Sequence, residues 1–186
     1  MFEGLRKFFF CAKNKFVKKS KTSFFSIYTN SKHITVGKNV TIGKGSVIFP
    51  IRNVSGQEFN AHIEIGDLVY IGHQTQLHSV GHMKIGRGSV LSDYVYLSDV
   101  AHGLSPVKGP IMQQPLESKG AVIIGENCFI GYGVAILPGV QLGDSCVVSA
   151  RAVVTKSFPA YTMLAGSPAR IIKKFDFSTE EWVSVY

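Results

Sequence analysis

The chain has 186 residues, of which 45% are hydrophobic and 17% charged, and its formal net charge at pH 7 is +8. This length suits one domain with a substantial core, and no apolar run reaches the roughly 18 residues that a membrane-spanning helix needs. The three cysteines, an odd number, do not indicate a disulfide framework and fit a reducing compartment, so a cytoplasmic protein is expected.

Residues 1–32 form the first predicted unit, a basic arm rich in phenylalanine. The arm carries a charge of +7, whereas the remaining 154 residues together carry only +1. We predict a helix whose phenylalanines cover the open end of the following domain, because an uncovered β-coil exposes unpaired strand edges. A second hypothesis is peripheral contact of residues 1–25 with an anionic membrane, at the inner membrane face. No recognised nucleic-acid motif accompanies the charge, and nucleic acid is not an expected partner.

Residues 33–175 are dominated by a six-residue repeat. An aliphatic residue returns at every sixth position, and a small or branched residue follows it four positions later. The fifteen aliphatic positions are Val36, Ile42, Ile48, Ile65, Ile71, Leu77, Ile85, Leu91, Leu97, Ile124, Ile130, Ile136, Leu142, Val148 and Val154. A period of six is typical of a parallel β-helix, in which three repeats complete one triangular turn. We therefore predict an all-β coil of about five turns, with residues eighteen apart stacked on each other.

The repeat is interrupted three times. Residues 50–62 leave the frame as a loop, the second interruption is a slip of two residues near His78 and His82, and residues 103–121 form a projecting loop with three prolines. Functional residues concentrate where a rigid scaffold gives way to loops. His102 lies at the junction between the coil and the projecting loop, so the chemistry is expected there.

Residues 176–186 are predicted to form a short terminal helix. The spacing of Ser178 and Glu181 follows the capping-box pattern that begins many helices. Trp182 and Tyr186 are expected to pack against the coil rather than to bind a ligand.

Three stretches carry a family likeness: SVLSDYVYLSDVAH, VIIGENCFIGYGVAILPGVQLGDSCVVSARAVVTKSFP and AGSPARIIKKF. They resemble the hexapeptide-repeat acyltransferases, specifically the sugar O-acetyltransferases of the maltose/galactoside and O-antigen type. The likeness covers residues 34–175. It implies a left-handed coil, a homotrimer, and acetyl-CoA as co-substrate in a groove between subunits, and no metal is expected.

On this resemblance His102 falls on the position of the catalytic base, and the projecting loop helps to enclose the acceptor. Independent chemistry agrees, because an imidazole is suited to taking the proton of an attacking hydroxyl group near neutral pH. Asp99, three residues earlier, is a candidate for orienting the ring. His78, His82 and Asp93 are the candidate contacts of the acceptor.

The resemblance also assigns a donor site. Its candidate residues are Phe129, Gly131, Gly133, Ala150, Thr155, Lys156, Arg170 and Lys173. A backbone N–H at Gly131 or Gly133 would stabilise the oxyanion, and the cations would offset the phosphate charge of the donor. Tyr132 and Arg151 depart from the family pattern, which usually has a small residue and a glycine there.

Two other functions compete with this one. A γ-type carbonic anhydrase shares the fold and needs three histidines for zinc across a subunit interface, but the spacing of the histidines here does not match. A non-catalytic interaction module would be expected to lack the base and the loop, both of which this sequence contains. The predicted function is therefore transfer of an acetyl group from acetyl-CoA to a sugar hydroxyl in surface polysaccharide biosynthesis, by a direct ternary-complex mechanism.

Overall fold

The computed structural model describes residues 21–22, 27–28 and 31–185, with side chains from residue 32 onward. The first twelve strands are β1 (Lys21–Thr22), β2 (Ile27–Tyr28), β3 (Ile34–Val36), β4 (Thr41–Ile42), β5 (Val47–Pro50), β6 (Asn53–Val54), β7 (Gln57–Glu58), β8 (His62–Ile65), β9 (Tyr70–Ile71), β10 (Gln76–Ser79), β11 (His82–Ile85) and β12 (Val90–Leu91). The next twelve are β13 (Tyr96–Ser98), β14 (Val100–His102), β15 (Leu116–Ser118), β16 (Val122–Ile124), β17 (Phe129–Ile130), β18 (Ala135–Ile136), β19 (Gln141–Leu142), β20 (Val147–Val148), β21 (Val153–Val154), β22 (Thr162–Gly166), β23 (Ala169–Asp176) and β24 (Glu181–Ser184). Single-turn 3-10 helices lie at Ser31–His33 and Ile111–Gln113.

Three parallel sheets form the faces of a triangular prism. Face A carries β1, β4, β9, β12, β17, β20 and β22, face B carries β2, β5, β10, β13, β18 and β21, and face C carries β3, β8, β11, β16 and β19. The chain visits the faces in the order A, B, C, so each turn stacks on the one before. This is the predicted left-handed parallel β-helix. Face A has seven parallel strands in the described part of the chain, two more than the five turns expected, because β1 precedes the first predicted strand of this face and β22 follows the last.

The repeated aliphatic positions form the core, as predicted. Fourteen of the fifteen are at most 2% exposed, and Val36 packs partly buried against the same cluster. Ile124 pairs with Leu142 and Ile130 with Val148, so residues eighteen apart do stack in the uninterrupted part of the coil. Each fully buried aliphatic side chain contributes about 1.5–3 kcal/mol relative to an exposed one, which makes this column the main source of stability.

The interruptions of the repeat leave the core undisturbed because the extra residues are extruded from it. Ile42 stacks on Ile71, 29 residues later, and Leu91 stacks on Ile130, 39 residues later. The first insertion contains the antiparallel hairpin β6–β7, and the last is closed at its base by the antiparallel pair β14–β15. All three interruptions occur between a strand of face B and the next strand of face C. We call this edge of the prism the B–C corner, and the edge between faces A and B the A–B corner.

Cys128 and Cys146 lie in stacked positions of the core, as their spacing predicted. Their neighbours Phe129 and Val147 are register partners, and both thiols are buried and free. The hydrogen bond to Cys146 and burial together raise the pKa of the Cys128 thiol. A buried thiol of this kind behaves as a small apolar side chain.

The end of the chain forms a hairpin, and the predicted terminal helix is wrong. Strand β22 pairs in parallel with β20, and β23 and β24 then extend face A with antiparallel pairs. Trp182 stands opposite Phe175 with ring centroids 5.5 Å apart, and the Ser178 hydroxyl donates to the Asp176 carboxylate at 2.6 Å rather than capping a helix. The open sheet edge and the cross-strand aromatic pair outweigh the local capping pattern.

The predicted N-terminal arm lies largely outside the described residues. Within it, β1 and β2 pair in parallel with β4 and β5. The coil therefore extends into the segment assigned to the arm, and the boundary at residue 32 is too late. Residues 1–20 lie outside the described part of the chain, so neither the helical cap predicted within residues 1–32 nor the membrane contact predicted for residues 1–25 is tested there.

Candidate active site

The three interruptions of the repeat meet in one open cleft at the B–C corner. The cleft has a volume of about 390 Å³. The first excursion contributes Ile51 and Val54, the strand before the second contributes His78, and the third contributes Met112 and His102. Segments far apart in sequence therefore surround the predicted catalytic residue.

His102 ends strand β14 and stands opposite Leu116 in the ladder that closes the projecting loop. Its side chain is exposed, and it makes no hydrogen bond or ion pair with any residue from 32 to 185. It lines both the 390 Å³ cleft and an adjoining smaller cleft of about 190 Å³, which also share Val54, Met112 and Leu116. Both ring nitrogens are therefore available to a ligand, as a general base requires.

The projecting loop is held in shape from inside and from outside. Gln114, only 7% exposed, accepts a hydrogen bond from the Ser105 N–H and donates to the carbonyl oxygens of Ser105 and Gly109, each at 2.9 Å. From outside, the side chain of Gln57 in strand β7 hydrogen-bonds to the backbone of Leu116. The loop is thus an ordered wall of the cleft.

His78, a predicted acceptor contact, is the second imidazole that lines the cleft. Its Nε2 lies 3.2 Å from the side-chain oxygen of Gln76, and its ring packs edge-on against Phe49 and tilted against Tyr96, with centroids 6.1 Å and 6.0 Å away. Burial lowers the pKa of His78. A neutral ring that donates from Nε2 keeps Nδ1 as a hydrogen-bond acceptor.

Asp99 does not contact the His102 ring that it was predicted to orient. Its carboxyl group is fully buried and accepts hydrogen bonds from the Ser79 hydroxyl at 2.6 Å, the Val80 N–H at 2.7 Å and the Gly81 N–H at 3.1 Å. Both oxygens are thus engaged with the turn at the second interruption. Asp99 holds the corner from which the projecting loop starts, and it acts on structure rather than on His102.

Two predicted acceptor contacts, His82 and Asp93, lie away from the cleft in the described chain. His82 begins strand β11 on face C, with its Nε2 3.9 Å from the Glu64 carboxylate. Asp93 lies at the A–B corner, where it accepts the His73 N–H at 2.7 Å and lies 3.2 Å from the ring nitrogen of His73. A contact of the same kind occurs at another corner, where the Asp144 carboxylate accepts the backbone N–H of Glu126, the residue after Gly125. These positions indicate a structural role for Asp93.

Part of the predicted donor site shares a corner with His102. Thr155 and Lys156 follow strand β21 at the B–C corner, further along the coil axis than the cleft, and both are exposed. Arg170 and Lys173 belong to strand β23, which extends the same end of the coil. The predicted cations therefore gather at the C-terminal end of the prism.

The other predicted donor residues lie across face B from His102. Phe129 is 46% exposed on face A, and Gly131, Gly133 and Ala150 lie at the A–B corner. The proposed oxyanion role of the glycines is contradicted, because the Gly131 N–H donates to Val148 at 2.8 Å and the Gly133 N–H to Asp93 at 3.0 Å. Their backbone donors are used by the coil itself.

The two departures from the family pattern contact each other. Arg151 donates its backbone N–H to the Tyr132 carbonyl oxygen at 2.8 Å, and its guanidinium carbon lies 4.8 Å from the centroid of the Tyr132 ring. Arg151 has φ +63°, a conformation that favours glycine. The positive φ explains why related sequences usually have glycine at this corner. In this chain arginine occupies the position and makes a cation–π contact with Tyr132.

Sequence reasoning missed the two glutamines that hold the loop and the apolar lining of the cleft. Gln57 and Gln114 lie outside the repeat, where no periodicity marks a buried or bridging position. The role of Gln57 depends on a contact with Leu116, 59 residues later, whereas Gln114 contacts Ser105 and Gly109 within its own loop, and no periodic pattern encodes either contact.

In residues 31–185 and the two short N-terminal strands, no group of three His, Cys, Asp or Glu side chains is placed to hold a metal ion. The same part of the chain contains no helix with the length and apolar character needed to cross a bilayer.

Comparison with known proteins identifies the family of this chain. Residues 121–156 match the family described as the hexapeptide repeat of succinyl-transferase. The chain is 33% identical over 168 residues to WbbJ of Escherichia coli K12, named as a lipopolysaccharide biosynthesis O-acetyl transferase, and the match covers 82% of this chain and 78% of WbbJ. The chain belongs to the hexapeptide-repeat acetyltransferases.

Solved structures show the same fold. A maltose O-acetyltransferase from Clostridium difficile 630 superposes with a TM-score of 0.64 at 27% identity, over 78% of this chain and 72% of that one. A point mutant of AntD, an N-acyltransferase from Bacillus cereus in complex with dTDP and coenzyme A, gives a TM-score of 0.68 at 22% identity over 84% and 82%. Because AntD is only 22% identical to this chain, its likeness supports the fold alone.

Proposed function

We propose that this protein transfers an acetyl group from acetyl-CoA to a sugar hydroxyl, with His102 as the general base. The observation that carries the proposal is the placement of His102. It is an exposed imidazole whose side chain has no protein partner in residues 32–185, and it lines two adjoining clefts at the corner where the interruptions of the repeat occur. Structural histidines of a coil would instead be paired, as His73 and His82 are.

The proposed reaction is a single displacement. His102 takes the proton of the acceptor hydroxyl as its oxygen attacks the thioester carbonyl carbon, and a carbon–oxygen bond forms. The carbon–sulfur bond then breaks, and the departing thiolate takes up the proton from the imidazolium, which releases CoA with a free thiol. No covalent enzyme intermediate is required, since both substrates are held together at the site.

The donor is proposed to approach from the C-terminal end of the coil. Thr155 and Lys156 lie at the corner that carries His102, and Arg170 and Lys173 supply cations beyond them. Fixed cations suit the phosphate groups of coenzyme A. The coenzyme A in the AntD structure supports this donor class for the fold.

The acceptor is proposed to belong to a surface polysaccharide or its precursor at the cytoplasmic side. The name of WbbJ, which refers to lipopolysaccharide biosynthesis, supports this class of acceptor. The hydroxyl group rather than an amine is favoured because WbbJ and the maltose enzyme are both named as O-acetyl transferases.

A homotrimer is proposed because, within one chain, some predicted donor residues lie far from His102, on the opposite edge of face B. Phe129 lies on face A and Ala150 at the A–B corner, both across face B from His102, so a neighbouring copy is needed to bring them to the B–C corner. Sedimentation equilibrium of the full chain tests this assembly. A species of three chains is expected, and a monomer that retains full activity contradicts it.

Peripheral membrane contact through residues 1–20 is a further part of the proposal, supported by the charge of +7 in residues 1–32. Vesicles with and without anionic lipid provide the test. Removing residues 1–20 is expected to abolish flotation with anionic vesicles while turnover of a soluble acceptor is retained. Equal flotation of the full and shortened chains rules out the membrane contact.

The experiment that tests the catalytic proposal measures release of the CoA thiol from acetyl-CoA across a panel of sugars. The protein is compared with His102→Ala and with the control His82→Ala, which removes an exposed histidine outside the cleft. Acceptor-dependent release is expected to fall by about 10²- to 10⁴-fold in His102→Ala and to persist in the control. Release that survives in His102→Ala removes this residue as the base.

A further inference from the structure

The 390 Å³ cleft beside His102 lies toward the N-terminal turns of the coil, whereas the proposed donor residues Thr155 and Lys156 lie toward its C-terminal end. On face B, strand β13 separates β5 and β10 from β18 and β21. The cleft takes Ile51 and Val54 from the segment after β5 and His78 from β10, whereas Thr155 and Lys156 follow β21. A group in the cleft therefore approaches His102 from the side that the donor leaves free.

The walls of the cleft differ in chemistry. The coil side presents the polar atoms, from His78 and Tyr96 of face B together with His102 at its rim. The outer wall, made by the two excursions, is apolar, with Val54 from the hairpin and Met112 from the projecting loop. The cleft therefore fits a ligand with hydroxyl groups on one edge and a hydrocarbon group on the opposite edge.

The two outer-wall residues that line the cleft, Val54 and Met112, carry no side-chain N–H or O–H group. The nearby amide of Gln57 lines the smaller cleft, and its oxygen and nitrogen are both engaged with the Leu116 backbone. The amide of Gln114 is likewise engaged inside the loop. A hydroxyl group pressed against this wall would lose its water without gaining a partner, which costs about 1–3 kcal/mol.

We propose that the cleft is the acceptor site for a 6-deoxyhexose, with the sugar methyl group against Val54 and Met112 and ring hydroxyls directed to His78 and His102. This inference rests on the proposed function and names its substrate class. The methyl group at C6 replaces the hydroxymethyl group that projects furthest from an ordinary hexose ring. The Nε2–H of His78 donates to the side-chain oxygen of Gln76, so Nδ1 accepts a hydrogen bond from one ring hydroxyl and thereby positions the neighbouring hydroxyl at His102.

An acyl chain of the donor is the competing occupant of an apolar cleft. The position of the cleft favours the sugar, because the excursions that enclose it come from the turns away from Thr155 and Lys156. Its volume of about 390 Å³ lies in the range of sites that enclose a whole small ligand. Acetyl-CoA and butyryl-CoA therefore serve together as donors in the test.

The experiment uses matched methyl glycosides that differ only in the C6 hydroxyl: L-rhamnose and L-mannose, L-fucose and L-galactose, and D-quinovose and D-glucose. Saturation-transfer NMR with the full chain reports which protons contact the protein, and it requires no turnover. In at least one pair the 6-deoxy sugar is expected to bind about 10- to 100-fold more tightly, with the strongest saturation at its methyl group. Equal binding within every pair, or no binding of any sugar, overturns the inference.

Two variants locate the preference in the cleft. Val54→Thr adds a hydroxyl to the apolar wall at nearly unchanged volume and is expected to reduce the preference about tenfold. Val47→Thr makes the same change on the outside of face B, away from the cleft, and is expected to keep the preference. An equal effect of both variants overturns the placement.

The thiol-release assay with the same glycosides separates this inference from the proposed function. Acceptor-dependent release without any 6-deoxy preference keeps the acetyltransferase and overturns the acceptor class. Equal rates with acetyl-CoA and butyryl-CoA in the absence of that preference assign the cleft to the acyl chain. Selective binding of 6-deoxy sugars without transfer supports the site and contradicts the proposed reaction.

Discussion

The side-chain amide of Gln57 brackets the backbone of Leu116: it donates to the Leu116 carbonyl oxygen at 3.2 Å and accepts the Leu116 N–H at 2.7 Å. Leu116 is the strand partner of His102. One side chain of the first excursion therefore fixes the backbone opposite the proposed base in the third. The two excursions form one rigid unit at the B–C corner.

Gln57→Leu is expected to lower kcat/KM by about 10- to 100-fold, because a small displacement of His102 misaligns it with the acceptor. The core does not depend on this contact, so the melting temperature should change little. The matched control is Gln141→Leu, an exposed amide on face C. Steady-state kinetics and thermal melting of both variants provide the measurement, and unchanged kinetics in Gln57→Leu would show that the bracket does not position His102.

Asp99→Ala is expected to destabilise the fold by about 3–5 kcal/mol, because three buried donors lose their acceptor at once. These donors are the hydroxyl of Ser79 and the N–H groups of Val80 and Gly81. Urea unfolding measures the loss. Asp176→Ala, at an exposed position in the terminal hairpin, is the control and should unfold close to the wild type. If Asp99 acted only by orienting His102, activity would fall and the unfolding midpoint would stay constant.

Gly125→Ala is expected to destabilise the coil by about 1–3 kcal/mol through overpacking at a corner. A methyl group at this position would lie 2.6 Å from both the Asp144 carboxylate oxygen and the Gly143 carbonyl carbon. The control Gly81→Ala places its methyl group at ordinary distances, 3.5 Å from Asp99 and 3.7 Å from Ser118. The difference between the two unfolding free energies checks the prediction, and equal values contradict it.

The stability of the fold is expected to depend on pH through His78, which lies in the wall of the cleft. Burial lowers the folded-state pKa of His78, so the unfolded chain binds this proton at a higher pH than the folded chain does. The contribution is complete above the ordinary titration range of histidine, and it decreases as the pH falls from there toward the lowered pKa. The loss of melting temperature from about pH 7 to about pH 5 should be smaller in His78→Gln than in the wild type. An identical loss in both proteins would contradict the assignment.

The repeat made the coil predictable because its information is local and redundant. Ile130 alone indicates nothing. The return of an aliphatic residue at Ile136, Leu142 and Val148, however, gives a period of six that neither a helix nor an ordinary strand has. The location of His102 was predictable for a related reason, since a residue at the end of a broken repeat must leave the scaffold. The terminal hairpin was not predictable in this way, because Trp182 obtains its partner Phe175 only after the chain has turned back.

The sequence by itself determined the prism, its core column and the three places where the chain leaves the core, because each follows from spacing along the chain. Only the tertiary structure decided that the three excursions share one corner, that Asp99 supports a turn instead of His102, and that the outer wall of the cleft is apolar. These features depend on contacts between segments that stack after the inserted residues have been extruded. The spacing of the repeat gives the number of inserted residues in each excursion, but the contacts of those residues depend on how the excursions pack in three dimensions.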